Sequence, residues 1–99
     1  MKVIVLNAKN YNFKNSEDET VKGLKLSYIT DDYEQSESSF GFPVIQQSIS
    51  QQDLKSMGIE NTGLYDIDFS FKPGKGNIPI VQVSNVKFIK KIDLENLFK

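Results

Sequence analysis

The feature that most constrains this chain is an apolar period of two. Between residues 65 and 72, Tyr65, Ile67, Phe69 and Phe71 alternate with Asp66, Asp68, Ser70 and Lys72, the pattern of a strand with one face toward a core and one toward water. The same period recurs over Lys2–Phe13, where Val3, Val5, Tyr11 and Phe13 share a parity. Asn7-Ala8 interrupts that run, which predicts a β-bulge and a change in the face that Lys9 and Tyr11 occupy. Val21–Thr30 alternates Leu24, Leu26 and Tyr28 with Lys25 and Ser27, and Phe40–Ile49 is a third strand whose Pro43 places it at an edge or bulge. Ile78–Ile92 is the fifth, reached through the turn-rich Pro73-Gly74-Lys75-Gly76-Asn77.

The helical signal is confined to one place. Ser50 and Asp53 form an S-x-x-D capping pattern, Leu54 and Met57 give an apolar side, and Gly58 sits where a left-handed cap belongs. The order is thus three strands, a short helix and two strands joined by a tight hairpin. This predicts an all-β fold, a five-stranded OB-type barrel with one short helix between strands 3 and 4. An SH3-like barrel ranks lower because of the helix; an antiparallel sheet packed on one helix is the remaining alternative. With 99 residues there is room for one core, assigned to 1–92, with 93–99 as a short C-terminal turn or tail in which Leu94, Leu97 and Phe98 pack. Asp31–Ser39 is acidic and poor in apolar residues, a connection that leaves Tyr33 exposed.

Three absent residue types narrow the chemistry. Without cysteine or histidine there is no thiol nucleophile, no imidazole base and no Cys/His metal site. Without arginine, all twelve cations are lysine, which meets phosphate as a point charge and not as a bidentate fork. Asp66 and Asp68 share a strand face at a spacing that suits Mg²⁺, but alternation alone produces it. Gly74-Lys75-Gly76 lacks the spacing and following helix of a phosphate-binding loop. The expectation is no catalysis, no cofactor and no metal. No run is long enough for a membrane span, and the apolar stretch after Lys2 is too short for a signal peptide. A cytoplasmic protein without membrane association is expected.

The net charge of −1 conceals a division. Residues 1–14, 21–30 and 69–92 hold Lys2, Lys9, Lys14, Lys22, Lys25, Lys72, Lys75, Lys87, Lys90 and Lys91 and no acid, while all thirteen acids lie elsewhere. Lysines on strand edges hinder aggregation, which explains scattered lysines but not missing acids. Aromatics interleave with the basic segments: Tyr11 beside Lys9, Tyr28 beside Lys25, Phe69 and Phe71 beside Lys72. Lysines with aromatic platforms are what sequence-neutral binding of single strands requires. The expected nucleic-acid-binding residues are Lys9, Tyr11, Lys22, Lys25, Tyr28, Tyr33, Lys72, Lys75 and Lys87. The rival expectation is a protein-interaction barrel that docks a partner on the aromatics around Phe40–Phe42.

Gly63-Leu64-Tyr65-Asp66-Ile67, continued through Phe71-Lys72-Pro73-Gly74-Lys75-Gly76 into an apolar last strand with lysines, resembles the C-terminal half of the small gene V-type single-stranded-DNA-binding proteins of filamentous phages. Lys22-Gly23-Leu24-Lys25-Leu26-Ser27-Tyr28 is similar to that family's basic strand. The resemblance implies an OB-type barrel, a homodimer, and cooperative coating of single-stranded DNA, with RNA not separated from DNA, during replication of a phage or mobile element. It also implies phosphate contacts for Lys22 and Lys25, stacking for Tyr28, and a DNA-side or dimer-contacting role for the Pro73–Asn77 hairpin. The chain differs from the family in lacking arginine, in carrying Lys75 where the hairpin has an aromatic, and in the acidic connection and the helix.

Overall fold

The computed structural model describes residues 1–31 and 37–99, with Lys75 described by its backbone alone. Five strands form one antiparallel sheet: β1 (Lys2–Lys14), β2 (Thr20–Thr30), β3 (Ile45–Ser50), β4 (Gly63–Pro73) and β5 (Pro79–Lys91), in the order β3-β2-β1-β4-β5. One α-helix, α1 (Leu54–Met57), lies between β3 and β4. Among the described residues the chain is all-β with that single short α-helix, as its periodicity predicts. The two edge strands, β3 and β5, lie against each other, but among the described residues no ladder joins them.

The core occupies the concave face, where Val3 and Val5, Leu24, Leu26 and Tyr28, Ile49, and Tyr65 and Ile67 meet Met57 and Ile59. Those on β1, β2 and β4 have the parity their alternation predicts. The predicted inward stripe of β4 does not last, however. Tyr65 and Ile67 are buried, Phe69 is half-buried, and Phe71 is 70% exposed, because β4 runs past the core. β1 pairs with β4 only over Lys2–Val5 and Gly63–Asp66. Beyond that joint the two halves run in opposite directions: β4–β5 as a two-stranded ribbon, and β1–β2 with β3 along β2 over Gly23–Tyr28, two-stranded only past Tyr11 and Gly23. The Cα radius of gyration of 15.3 Å exceeds the roughly 13 Å of a compact domain of this length for that reason.

Local chemistry sets several element ends. At the β1–β2 turn the Asn15 carboxamide accepts from the Glu17 and Glu19 amides, both at 3.0 Å, as Asx turns do. The cap of α1 is Asp53, whose carboxylate accepts from Lys55 N–H at 2.8 Å. Ser50 belongs to β3 and does not cap, a correction to the S-x-x-D reading. Gly58 closes the helix at φ 75°; its N–H reaches Lys55 O and that of Ile59 reaches Leu54 O, a Schellman pattern. β3 begins at Ile45, so Phe40–Val44, with Pro43, which the sequence assigns to this strand, lie outside it. Glu95–Phe98 forms a 3₁₀ turn, but Leu97 and Phe98 are 76% and 90% exposed. Of the three residues expected to pack there, only Leu94 is half-buried.

Candidate nucleic-acid interface

The bulge predicted near Asn7-Ala8 decides the geometry of the site. Val5 pairs with Tyr28 and Asn7 with Ser27, leaving Leu6 as the extra residue on β1. Before it, odd residues point to the core; after it, odd residues point away, because side-chain direction alternates strictly along each strand. Val3 and Val5 are therefore buried, while Lys9, Tyr11 and Phe13 lie on the convex face. On β2 the residues opposite them are Lys25, Gly23 and Val21. β3 adds Ser48, which pairs with Lys25.

These side chains line an open groove of about 410 Å³ bounded by Lys9, Tyr11, Phe13, Val21, Lys25 and Ser48. The rings of Tyr11 and Phe13 are 6.0 Å apart and inclined by 31°. Tyr11 lies across Gly23, so a Cβ there would collide with the phenol and sit 2.8 Å from Ile49 O. Glycine at this position lets the ring cover the strand, as aromatics do opposite strand glycines. Lys9 and Lys25 are direct cross-strand partners, with Cα atoms about 5.5 Å apart if they follow the spacing of a hydrogen-bonded pair. Like charges placed so are mutually destabilising. Among the described residues neither lysine has an ion-pair partner.

Of the expected binding residues, the fold brings together Lys9, Tyr11 and Lys25. Lys22 is corrected: it is exposed, but its parity puts it on the opposite face of β2, across from Asn12. Tyr28 is corrected as well. It is buried, stacks on Phe69 at 5.6 Å, and donates to Gln47 Oε1 at 2.8 Å, so no base can reach its ring. Burial raises its phenol above the ordinary value of 10.0. Lys72 and Lys87 are exposed on the convex side of the other ribbon, opposite Ile80 and Asp66, away from the groove. Lys75 lies in the 3₁₀ turn of the β4–β5 hairpin, and Tyr33 lies outside the described residues. Phe13, Val21 and Ser48 join the groove without having been singled out. Phe13 was legible through the bulge, since whatever turns Tyr11 outward turns Phe13 with it.

The Asp66 and Asp68 pair is engaged otherwise. The Met1 ammonium donates to Asp66 Oδ1 and Ile67 O at 3.0 and 3.1 Å and lies 3.5 Å from Asp68 Oδ1. The hydrogen bond to Asp66, with the charges of both carboxylates, raises the ammonium above its usual pKa. Among the described residues there is no cluster of three or more potential metal ligands and no helix long and apolar enough to cross a membrane. Compared with known proteins, the chain matches no family model, no curated protein and no solved structure.

Proposed function

We propose that the convex face of β1–β2 binds single-stranded DNA without regard to sequence. The observation that carries this reading is the unpaired Lys9–Lys25 opposition beside the Tyr11 and Phe13 rings. Two lysines held face to face gain most from a ligand that supplies negative charge between them, and a phosphodiester backbone does so repeatedly. The adjoining rings offer stacking surface to bases, worth about 1–3 kcal/mol per base and indifferent to base identity. The role is coating of single strands in replication of a phage or mobile element, in the cytoplasm and without catalysis. That setting rests on the resemblance of the β2 and β4–β5 segments to phage single-strand binders.

The test is a titration with oligo-dT at two salt concentrations, read by tyrosine quenching. Binding weakens with salt by a log–log slope of about −0.7 for each phosphate neutralised. A titration that does not shift between low and moderate salt overturns the reading. A second reading has its own observation: Phe40 is fully exposed, and Phe42, Val44 and Ile45 are exposed beside it. An apolar patch of this kind suits a protein partner. Retention of oligo-dT affinity by Phe40→Ser separates the two surfaces.

A further inference from the structure

Past the bulge, β1 has a free edge on the side away from β2. Asn15 N–H donates to Glu19 O at 3.0 Å, and counting back in that register makes Phe13–Val21, Tyr11–Gly23 and Lys9–Lys25 the hydrogen-bonded pairs. Gln51 N–H donates to Lys22 O at 3.1 Å, which turns the backbone of Lys22, the partner of Asn12, toward β3 and agrees with that count. Ala8, Asn10 and Asn12 therefore direct their N–H and C=O groups away from β2, to the side where β4 accompanies β1 only as far as Val5. Among the described residues no backbone group bonds them there. An edge of this kind is a template for another strand. It also borders a hollow: about 220 Å³ lies between residues 5–8 and 59–62. A space of about 550 Å³ adjoins it beside Asn10, and Leu54, Ile59 and Glu60 line both.

Residues 93–99 start from the rim of this hollow. Val5, Gly63 and Lys91 stand in one row across β1, β4 and β5. Just past it Ile92 N–H donates to Thr62 O at 3.2 Å, and Thr62 Oγ1 donates to Ile92 O at 2.7 Å. β5 runs parallel to β1, since each is antiparallel to β4. The chain after Ile92 is therefore heading along the free edge, one strand spacing of about 4.8 Å from a place beside it. Seven extended residues span about 23 Å, against about 13 Å from Ala8 to Asn12. As it stands the segment is a 3₁₀ turn held by Leu97 N–H to Leu94 O at 3.2 Å and Lys99 N–H to Asn96 O at 3.4 Å, with Leu97 and Phe98 exposed. These two are consecutive, so in a strand one faces the side of Leu54 and Ile59 and the other the side of Tyr11 and Phe13. Asp53 and Glu60 border the hollow along with Lys55, so charge offers Asp93 and Glu95 no net gain there. Docking rests on the ladder and on apolar burial.

We propose that residues 93–99 dock on the free edge of β1 in their own chain, as a strand parallel to it. They exchange the exposed 3₁₀ turn for hydrogen bonds with Ala8, Asn10 and Asn12 and cover Leu97 and Phe98. The inference does not rest on nucleic-acid binding, and its tests use none.

Amide exchange of the full chain, read by NMR, tests this, and far-UV circular dichroism checks each variant's fold. Ala8, Asn10 and Asn12 exchange about tenfold more slowly in the wild type than in the double variant Leu97→Asp, Phe98→Asp. Both altered side chains are exposed in the 3₁₀ turn, so the variant keeps the sheet. The protection is the same at every protein concentration, because edge and segment belong to one chain. In the wild type, Leu97 or Phe98 shows NOEs to Leu54 or Ile59. Asn10→Pro removes one N–H of the free edge without touching the ladder with β2, and it abolishes those NOEs. Equal exchange of the three amides in wild type and double variant overturns the proposal. So does protection that grows with concentration, since a second copy then covers the edge. NOEs that are missing from the wild type, or that survive Asn10→Pro, overturn it as well.

Discussion

The β1–β2 and β4–β5 ribbons leave the same joint and present different surfaces. Each leaves the joint at Lys2–Val5 and Gly63–Asp66 and outlasts the core, but β1–β2 is backed by β3 over Gly23–Tyr28, whereas β4–β5 runs on as two strands alone. On β1–β2 the convex side carries Lys9, Tyr11, Phe13 and Lys25 with no acid, the surface we propose for a polyanion. On β4–β5 the convex side mixes Asp66 and Asp68 with Lys72 and Lys87, while the concave side carries the unsupported Phe71. The contrast comes from where the bulges fall. Leu6 on β1 turns aromatics outward, whereas the irregularities of β4–β5 lie on β5 and leave the β4 stripe facing inward beyond the end of the core. A single inserted residue thus decides whether an aromatic stripe becomes an outer platform or an overhang.

The largest expected effect tests the joint between the ribbons. Ile67→Ala removes a fully buried side chain and costs about 2–5 kcal/mol of stability. Phe71→Ala, two positions further along the same stripe and measured at low protein concentration, stays within about 0.5 kcal/mol. Urea unfolding of both variants checks the pair, and equal losses would mean that the β4–β5 ribbon has a core of its own. Tyr11→Ala removes the platform of the other ribbon and weakens oligo-dT binding by about 1–3 kcal/mol. An unchanged titration would assign Tyr11 to covering Gly23 and nothing more.

Tyr28→Phe is expected to cost about 0.5–1.5 kcal/mol at neutral pH through the lost hydrogen bond to Gln47. Its pH dependence follows from the raised phenol. Above pH 10.0 the unfolded chain releases a proton that the folded chain retains, so stability falls as pH climbs toward the folded value. Unfolding curves of Tyr28→Phe lack that component, and identical alkaline losses in both proteins would refute its assignment to Tyr28. The smallest effects separate the lysines. Lys9→Ala and Lys25→Ala each lower the salt slope of binding by about 0.7 and raise stability by about 0.2–1 kcal/mol by relieving the cross-strand repulsion. Lys87→Ala, opposite Asp66 on the other ribbon, leaves the slope unchanged; an equal drop would extend the interface across the sheet.

Much of the fold is legible in the sequence because alternation is a local property of strands. Val3, Val5, Leu24, Leu26, Tyr65 and Ile67 are core residues by pattern alone, and Gly58 caps its helix as its position suggests. Local patterns say less where two assignments satisfy the same residues. Ser50 and Asp53 are both capable helix caps, and the ladder of β3 with β2 took Ser50. A stripe such as Tyr65–Phe71 also does not reveal where the core beneath it stops.

The sequence by itself determined that this is a one-core, predominantly β chain without cysteine, histidine or arginine chemistry, and that its lysines and acids occupy separate segments. Tertiary structure decided which lysines share a surface. Lys22 and Lys25 are three residues apart and point to opposite faces, while Lys9 and Lys25 are distant in sequence and stand side by side. The physical reason is that a strand inverts side-chain direction at every residue, so one bulge at Leu6 reassigns every position after it. Charge counted along the chain is blind to that inversion, and only the pairing register of β1 with β2 resolves it.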